Sequence, residues 1–135
     1  MAERDNNILK LASIIAGLEQ EHVEAEAFFD MAYDLLCVAD LTTSMFIRLN
    51  PQWYRVTGWT IQELMSKPWL EFIHPDDVEQ TINAGQYVRN GKPLMNFKNR
   101  YICKDGSLVA LEWTAQADPV SGLSYAVARV VDEDA

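Results

Sequence analysis

Three short stretches decide the fold of this chain: NPQWYRVTGWTIQEL at 50–64, FIHPDD at 72–77 and RYICKDG at 100–106. The first two contain helix-start signals: Asn-Pro, a Thr with Glu three residues later, and a Pro followed by two aspartates. The third contains Asp-Gly, a strong signal for a hairpin turn. The region therefore predicts several short helices followed by antiparallel strands, and none of its pieces has the spacing of a catalytic motif.

Apolar runs on both sides of this region complete the predicted order of elements. Before it, Leu35–Ala39 and Met45–Leu49 are typical of strands joined in a hairpin. After it, three longer runs predict the remaining strands: Leu94–Lys104, Ser107–Asp118 and Gly122–Asp132. Because no strand–helix–strand unit repeats, we predict an α+β fold, a five-stranded antiparallel sheet with helices packed on one face.

An amphipathic helix is predicted ahead of the sheet, over residues 5–29. Its apolar seam has the alternating spacing of three and four that marks a heptad repeat: Ile8, Leu11, Ile15, Leu18, His22, Ala25 and Phe29. A single helix cannot bury such a stripe alone, so it either folds back on the domain or pairs with a second chain. The 3.5-residue period favours pairing, and we assign residues 1–27 to a coiled-coil helix and 28–132 to the sheet domain.

Five of the seam residues are the predicted dimer contacts: Ile8, Leu11, Ile15, Leu18 and His22. His22 is the polar member of this set. It is either a tolerated polar residue near the end of the helix or a contact that depends on pH.

The composition restricts the function classes. The chain has 135 residues, of which 49% are apolar, and a formal net charge of −9 with a pI near 4.5. These numbers predict one folded domain with a short extension, whose acidic surface would repel nucleic acid and anionic lipid. No apolar run reaches the length of a membrane span, and the charged N-terminus lacks the apolar core of a signal peptide. A cytoplasmic location is therefore expected.

The sequence offers little for catalysis or metal binding. Cys37 and Cys103 lie in apolar strand-like runs and are predicted to be buried free thiols, without Cys-x-x-Cys spacing for zinc. Asp76 and Asp77 are a carboxylate pair, but in a first helical turn they are better explained as charges at the positive end of a helix. His74 is expected to support the start of the same helix. We predict no catalytic residue, no metal site and no enzymatic activity for the domain.

The order of these elements resembles that of PAS domains, small sensory α+β modules. The residues that carry the resemblance are Asp40, Asn50-Pro51, Trp53, Gly58-Trp59, Glu63-Leu64, His74-Pro75-Asp76-Asp77, Arg100-Tyr101, Lys104-Asp105-Gly106 and Glu112-Trp113. The resemblance implies a PAS domain at the N-terminus of a longer receptor, such as a histidine kinase or a diguanylate cyclase. It would sense a small molecule or cofactor state and regulate an output domain in cis through a homodimer. The alternative is a ligand-free module for protein interaction and dimerisation.

The resemblance also places a ligand pocket between the sheet and the long helix that is predicted to end at Asn90-Gly91. Strand alternation puts one set of third-strand residues on the inner face: Met95, Phe97, Asn99, Tyr101 and Cys103. On the fourth strand, either the set containing Trp113 or the set containing Ala110 could face inward. The candidate pocket residues are Asn99, Tyr101, Phe97, Trp53 and Trp113. Asn99 either bonds backbone or water, or anchors the polar edge of a ligand.

The cofactor is not identified by the resemblance. Members that bind haem use a histidine in the long helix or in the loop after it, and residues 79–92 contain none. Flavin photosensors of the family carry a reactive cysteine in a segment that corresponds to Lys67–Phe72, where this chain has none. Neither cofactor is expected. Ala110 replaces a frequent aromatic residue and is expected to leave space in or near the sheet.

Overall fold

The structure is a computed structural model and describes residues 2–132. The chain divides into two compact units, the first ending at Met31 and the second beginning at Ala32. The first unit is helix α1, Ala2–Met31.

The apolar side chains of α1 are exposed. The four aliphatic residues predicted as dimer contacts are each 54–59% exposed: Ile8, Leu11, Ile15 and Leu18. Ile14 and Phe28, which each precede a seam residue by one position, are exposed as well. The apolar stripe is therefore wider than the narrow seam that the heptad pattern predicts. His22 lies 3.7 Å from Glu26, measured between Nε2 and Oε1.

Within the described residues of the second unit, five strands form one antiparallel sheet in the order β2-β1-β5-β4-β3. The strands are β1 Leu35–Asp40, β2 Met45–Leu49, β3 Leu94–Ile102, β4 Leu108–Ala117 and β5 Leu123–Val131. The predicted α+β class and five-stranded antiparallel sheet are confirmed. The Asp105-Gly106 turn joins β3 to β4, with Gly106 at a φ of 89° that an L residue rarely adopts.

Short helices connect β2 to β3: α2 Gln52–Thr57, α3 Ile61–Met65, two single 3₁₀ turns at Trp69–Phe72 and Pro75–Asp77, and α4 Val78–Arg89. The predicted capping box is present, because Thr60 Oγ1 accepts from Glu63 N at 3.0 Å and Glu63 Oε1 accepts from Thr60 N at 3.1 Å. His74 Nδ1 accepts from Asp76 N at 3.1 Å, so His74 supports a helix start as predicted.

The burial of β4 decides which of its two sets of residues faces the helices. Leu111, Trp113 and Ala115 are all buried, whereas Glu112 is half-buried and Thr114 is exposed. The set that contains Trp113 therefore forms the inner face.

The prediction that Met95 of β3 lies on the inner face is wrong. The register with β4 shifts between Leu94 and Phe97, and Asn96 has a φ of 59°. This bulge breaks the alternation, so Met95 points away from the core and is 66% exposed. Leu94 takes the inner position instead, while Asn99 and Tyr101 lie inward as predicted.

Asn50 is not the helix cap that Asn-Pro suggested. Pro51 occupies the N-cap of α2, and no side chain caps that helix. Asn50 is fully buried: its Oδ1 accepts from Leu36 N at 2.9 Å and its Nδ2 donates to Asp34 O at 2.9 Å. The side chain therefore ties the start of α2 to the start of β1.

Candidate functional site

A cavity of about 80 Å³ lies between α4 and the inner face of the sheet. Small side chains create it: Ala84 and Gly85 on α4 face Ala115 on β4 and Ala126 on β5. A Cβ placed on Gly85 would meet no atom within 4 Å, so the absence of a side chain at this position leaves open space beside α4. Ala110, expected to leave space, is buried but does not line this cavity.

The volume of the cavity limits its contents. The volume of about 80 Å³ is roughly half that of an engineered apolar cavity of about 150 Å³ that binds benzene. A molecule smaller than benzene therefore suits this cavity. Haem or a flavin would require the surrounding elements to move apart.

A chain of hydrogen bonds runs from the cavity wall to the start of α4. Trp113 Nε1 donates to Asn99 Oδ1 at 2.7 Å, and Asn99 Nδ2 donates to Thr81 Oγ1 at 3.3 Å. Thr81 Oγ1 in turn donates to Asp77 O at 2.8 Å. The protein partners of the Asn99 amide are therefore two side chains, those of Trp113 and Thr81.

The chain of bonds ends beside an ion pair between α4 and β3. The Asp77 carboxylate accepts from Arg100 Nε at 2.9 Å, from Nη2 at 2.8 Å and from the backbone N at 2.8 Å. The Arg100 side chain, with help from its backbone N–H, lowers the pKa of Asp77. Asp77 therefore has two roles. It lies at the start of α4, and its ion pair with Arg100 connects this helix to β3.

Two ionisable groups of the cavity are held neutral by burial. Desolvation raises the pKa of the Cys37 thiol to about 12. Burial also raises the pKa of Tyr101, and the charge of a Cys37 thiolate would add to this effect. Cys37 and Cys103 are both buried and free, as predicted. A neutral thiol is a poor nucleophile, so Cys37 contributes packing rather than reactivity.

Four of the five predicted pocket residues line the cavity: Phe97, Asn99, Tyr101 and Trp113. Trp53 does not. It is fully buried behind them, with its ring centroid 5.5 Å from that of Tyr101 and 5.8 Å from that of Trp113.

The prediction missed three lining residues of importance: Thr81, Gly85 and Ser124. Thr81 and Gly85 are four residues apart on α4 and so share one helical face, which was the available signal. Ser124 follows the Gly122 turn at the start of β5, and its small polar side chain gives no periodic signal.

Residues 2–132 contain no group of three or more His, Cys, Asp or Glu side chains arranged to hold a metal ion. No helix in this range is long and apolar enough to cross a membrane.

A family comparison matches the middle of the chain. A sequence model described as the PAS fold covers residues 46–123, more than half of the chain. No curated protein matches this chain significantly.

Several solved structures share the fold at low identity. The PAS domain of an HTR-like protein from Haloarcula marismortui is 20% identical, with a TM-score of 0.74 over 89% of this chain and 99% of that one. A domain of a sensory box sensor histidine kinase/response regulator from Geobacter sulfurreducens is 20% identical, with a TM-score of 0.71 over 83% and 96%. The Cycle PAS-B domain from Drosophila melanogaster, solved with bound ethylene glycol, is 18% identical, with a TM-score of 0.60 over 72% and 97%.

Proposed function

The chain belongs to the PAS fold family, and from this premise we propose that it is the sensory domain of a longer cytoplasmic signalling protein. It binds a small molecule in the cavity between α4 and the sheet. It passes the signal to an output enzyme in cis, such as a histidine kinase or a diguanylate cyclase, and carries out no reaction itself.

The cavity is the observation that carries this proposal. The rest of the inner face is closed by large side chains, and Trp53, Leu64 and Leu111 are fully buried. A space lined by Gly85, by Ala126 and by the hydrogen-bonded Asn99–Trp113 pair is therefore a distinct feature of this face. A mostly apolar cavity with a few directed polar groups is the usual form of a small-molecule site.

The test of ligand binding is native mass spectrometry together with an absorbance scan of freshly purified protein. We expect a bound mass that is lost on denaturation, of a molecule too small to absorb visible light. A protein that carries no added mass, and that no compound in a broad screen stabilises, would contradict the sensory function.

The exposed stripe on α1 supports signalling through a homodimer. When a second helix covers an apolar stripe of this width, the burial of apolar surface stabilises the pair. The test is sedimentation velocity at tens of micromolar, where we expect a dimer.

A matched pair of variants makes the dimer test specific. Leu18→Glu places a charge in the seam and should give monomers. Leu9→Glu changes another exposed leucine of the same helix, outside the seam, and should leave the dimer intact. Equal behaviour of the two variants, or a monomeric parent protein, would contradict pairing through this seam.

The alternative is a ligand-free interaction module, and the outer face of the sheet favours it. Tyr125 and Val127 on β5 are 51% and 41% exposed there, which suits docking to an apolar surface. Dimerisation without any bound or stabilising small molecule would favour this alternative.

A further inference from the structure

The cavity contains two hydroxyl groups that lack protein partners. Tyr101 is 2% exposed and Ser124 is 3% exposed, and both line the cavity. No side-chain hydrogen bond between residues 2–132 includes either hydroxyl. Because no fully enclosed side-chain oxygen or nitrogen in this range is unpaired, both oxygens must border free space. Buried polar groups are normally paired, so these two hydroxyls are available to bond water or a bound molecule inside the cavity.

Asn99 has hydrogen-bonding capacity to spare. A side-chain amide has two acceptor lone pairs and two donor hydrogens. Asn99, which is 4% exposed, uses one of each, toward Trp113 and Thr81. The bond to Thr81, at 3.3 Å, is the longer one. The remaining lone pair and hydrogen can serve a molecule that both donates and accepts.

The cavity has no charged wall. Among the described residues, none of those that line it is Asp, Glu, Lys, Arg or His. A charged molecule would lose its hydration there without gaining a counter-charge, which is unfavourable. An uncharged molecule loses far less.

We propose that the ligand is a small uncharged molecule with hydroxyl or amide groups, held by the Asn99 amide and by the Tyr101 or Ser124 hydroxyl. This inference rests on the proposed sensory function and gives the chemical class of its ligand. The size of the cavity favours a ligand smaller than benzene.

Three probes with one carbon skeleton test the charge requirement: propane-1,2-diol (neutral), lactate (anion) and 1-aminopropan-2-ol (cation). The readout is the ¹⁵N–¹H signal of the Trp113 indole, which donates to Asn99. The Trp59 indole is an internal control, because it donates to Ile102 O at 2.8 Å and does not line the cavity. We expect a saturable shift of the Trp113 signal with the diol, at least about tenfold weaker binding of both ions, and no shift of Trp59.

Two variants test the hydroxyl contacts. Tyr101→Phe or Ser124→Ala should weaken binding of propane-1,2-diol about fivefold, the worth of one net hydrogen bond. Tyr125→Phe, which removes a hydroxyl from the exposed outer face, is the matched control and should bind normally. Removal of a partnerless hydroxyl should not lower the stability of the empty protein, so a loss of binding would not reflect misfolding.

The outcomes separate the two proposals. Binding of lactate or of the amine as tightly as the diol would overturn the ligand class and leave the sensory function standing. Diol binding that neither variant weakens would overturn the assigned contacts. If no probe shifts the Trp113 signal and native mass spectrometry finds no bound mass, the sensory function fails and the ligand class fails with it.

Discussion

Two buried asparagines, each near a tryptophan, use the same amide group in opposite ways. The Asn50 amide bonds main-chain atoms of Leu36 in β1 and of Asp34 just before it, both at 2.9 Å, and Trp53 Nε1 also donates to Leu36 O at 3.1 Å. Asn99 instead bonds the side chains of Trp113 and Thr81 at the edge of a cavity. A buried asparagine therefore does not by itself mark a ligand site, because its partners decide its role.

The difference has a physical cause. Main-chain partners cannot change rotamer, so the amide of Asn50 fixes the distance between α2 and β1. Side-chain partners can turn away, and the space beside Asn99 can admit a replacement for them. The first region is suited to hold the fold, and the second to respond to an occupant.

Asn50→Ala should give the largest effect. It removes a fully buried amide that bonds both Leu36 N–H and Asp34 C=O, so the free energy of unfolding should fall by about 3 kcal/mol. Urea denaturation measures this value. Asn83→Ala, at an exposed position of α4, is the control and should not lower it, because alanine is the better helix former. A loss under about 1 kcal/mol for Asn50→Ala would show that the Asn50 amide contributes little to holding α2 against β1.

Asn99→Ala should cost less, about 2 kcal/mol, because water can enter the cavity and accept from the Trp113 indole. The same urea measurement applies, and the Trp113 indole signal should move toward the position of a water-bonded group. An equal loss of stability in Asn99→Ala and Asn50→Ala would remove the distinction between a fixed and an adaptable region.

Asp77→Asn should cost about 1 kcal/mol at neutral pH, since asparagine keeps an acceptor for Arg100 but loses the charge. The effect should depend on pH in a definite direction. Arg100 lowers the folded pKa of Asp77, so its stabilisation is present above the unfolded pKa of about 3.9 and is lost as the pH falls through the lower folded value.

The measurement for Asp77 is urea denaturation from pH 6 down to pH 2. The difference in stability between the parent protein and Asp77→Asn should shrink across the acid end of this range. Asp76→Asn changes the neighbouring exposed carboxylate and is the control. A difference that stays constant with pH would mean that the charge of Asp77 does not stabilise the fold.

The features predicted correctly from the sequence depend on nearby residues. The Thr60 capping box spans four residues, the Asp105-Gly106 turn joins adjacent strands, and alternation placed Asn99 and Tyr101 inside. Such signals are readable because the chain segment alone determines them.

The features missed depend on partners far along the chain. Asn-Pro is a helix-start signal whether or not its amide bonds elsewhere, and the partners of Asn50 lie 14 and 16 residues earlier. Arg100 lies 23 residues after Asp77. The bulge at Asn96 requires a positive φ that period-two alternation does not reveal. The width of the apolar stripe on α1 has a different cause, since Ile14 and Phe28 lie one position before seam residues and are not part of the heptad pattern.

Gly85→Ala should have the smallest effect on stability, and it should be a gain. The added Cβ meets no atom within 4 Å, and alanine is favoured over glycine inside a helix, so stability should rise by about 0.5–1 kcal/mol. The same methyl group occupies part of the cavity, so binding of propane-1,2-diol should weaken. Asn83→Ala in the same helix gains propensity without entering the cavity and should bind the diol normally. A loss of stability in Gly85→Ala would show that the space beside Gly85 is not free. The region around Asn99 would then be as closely packed as the region around Asn50.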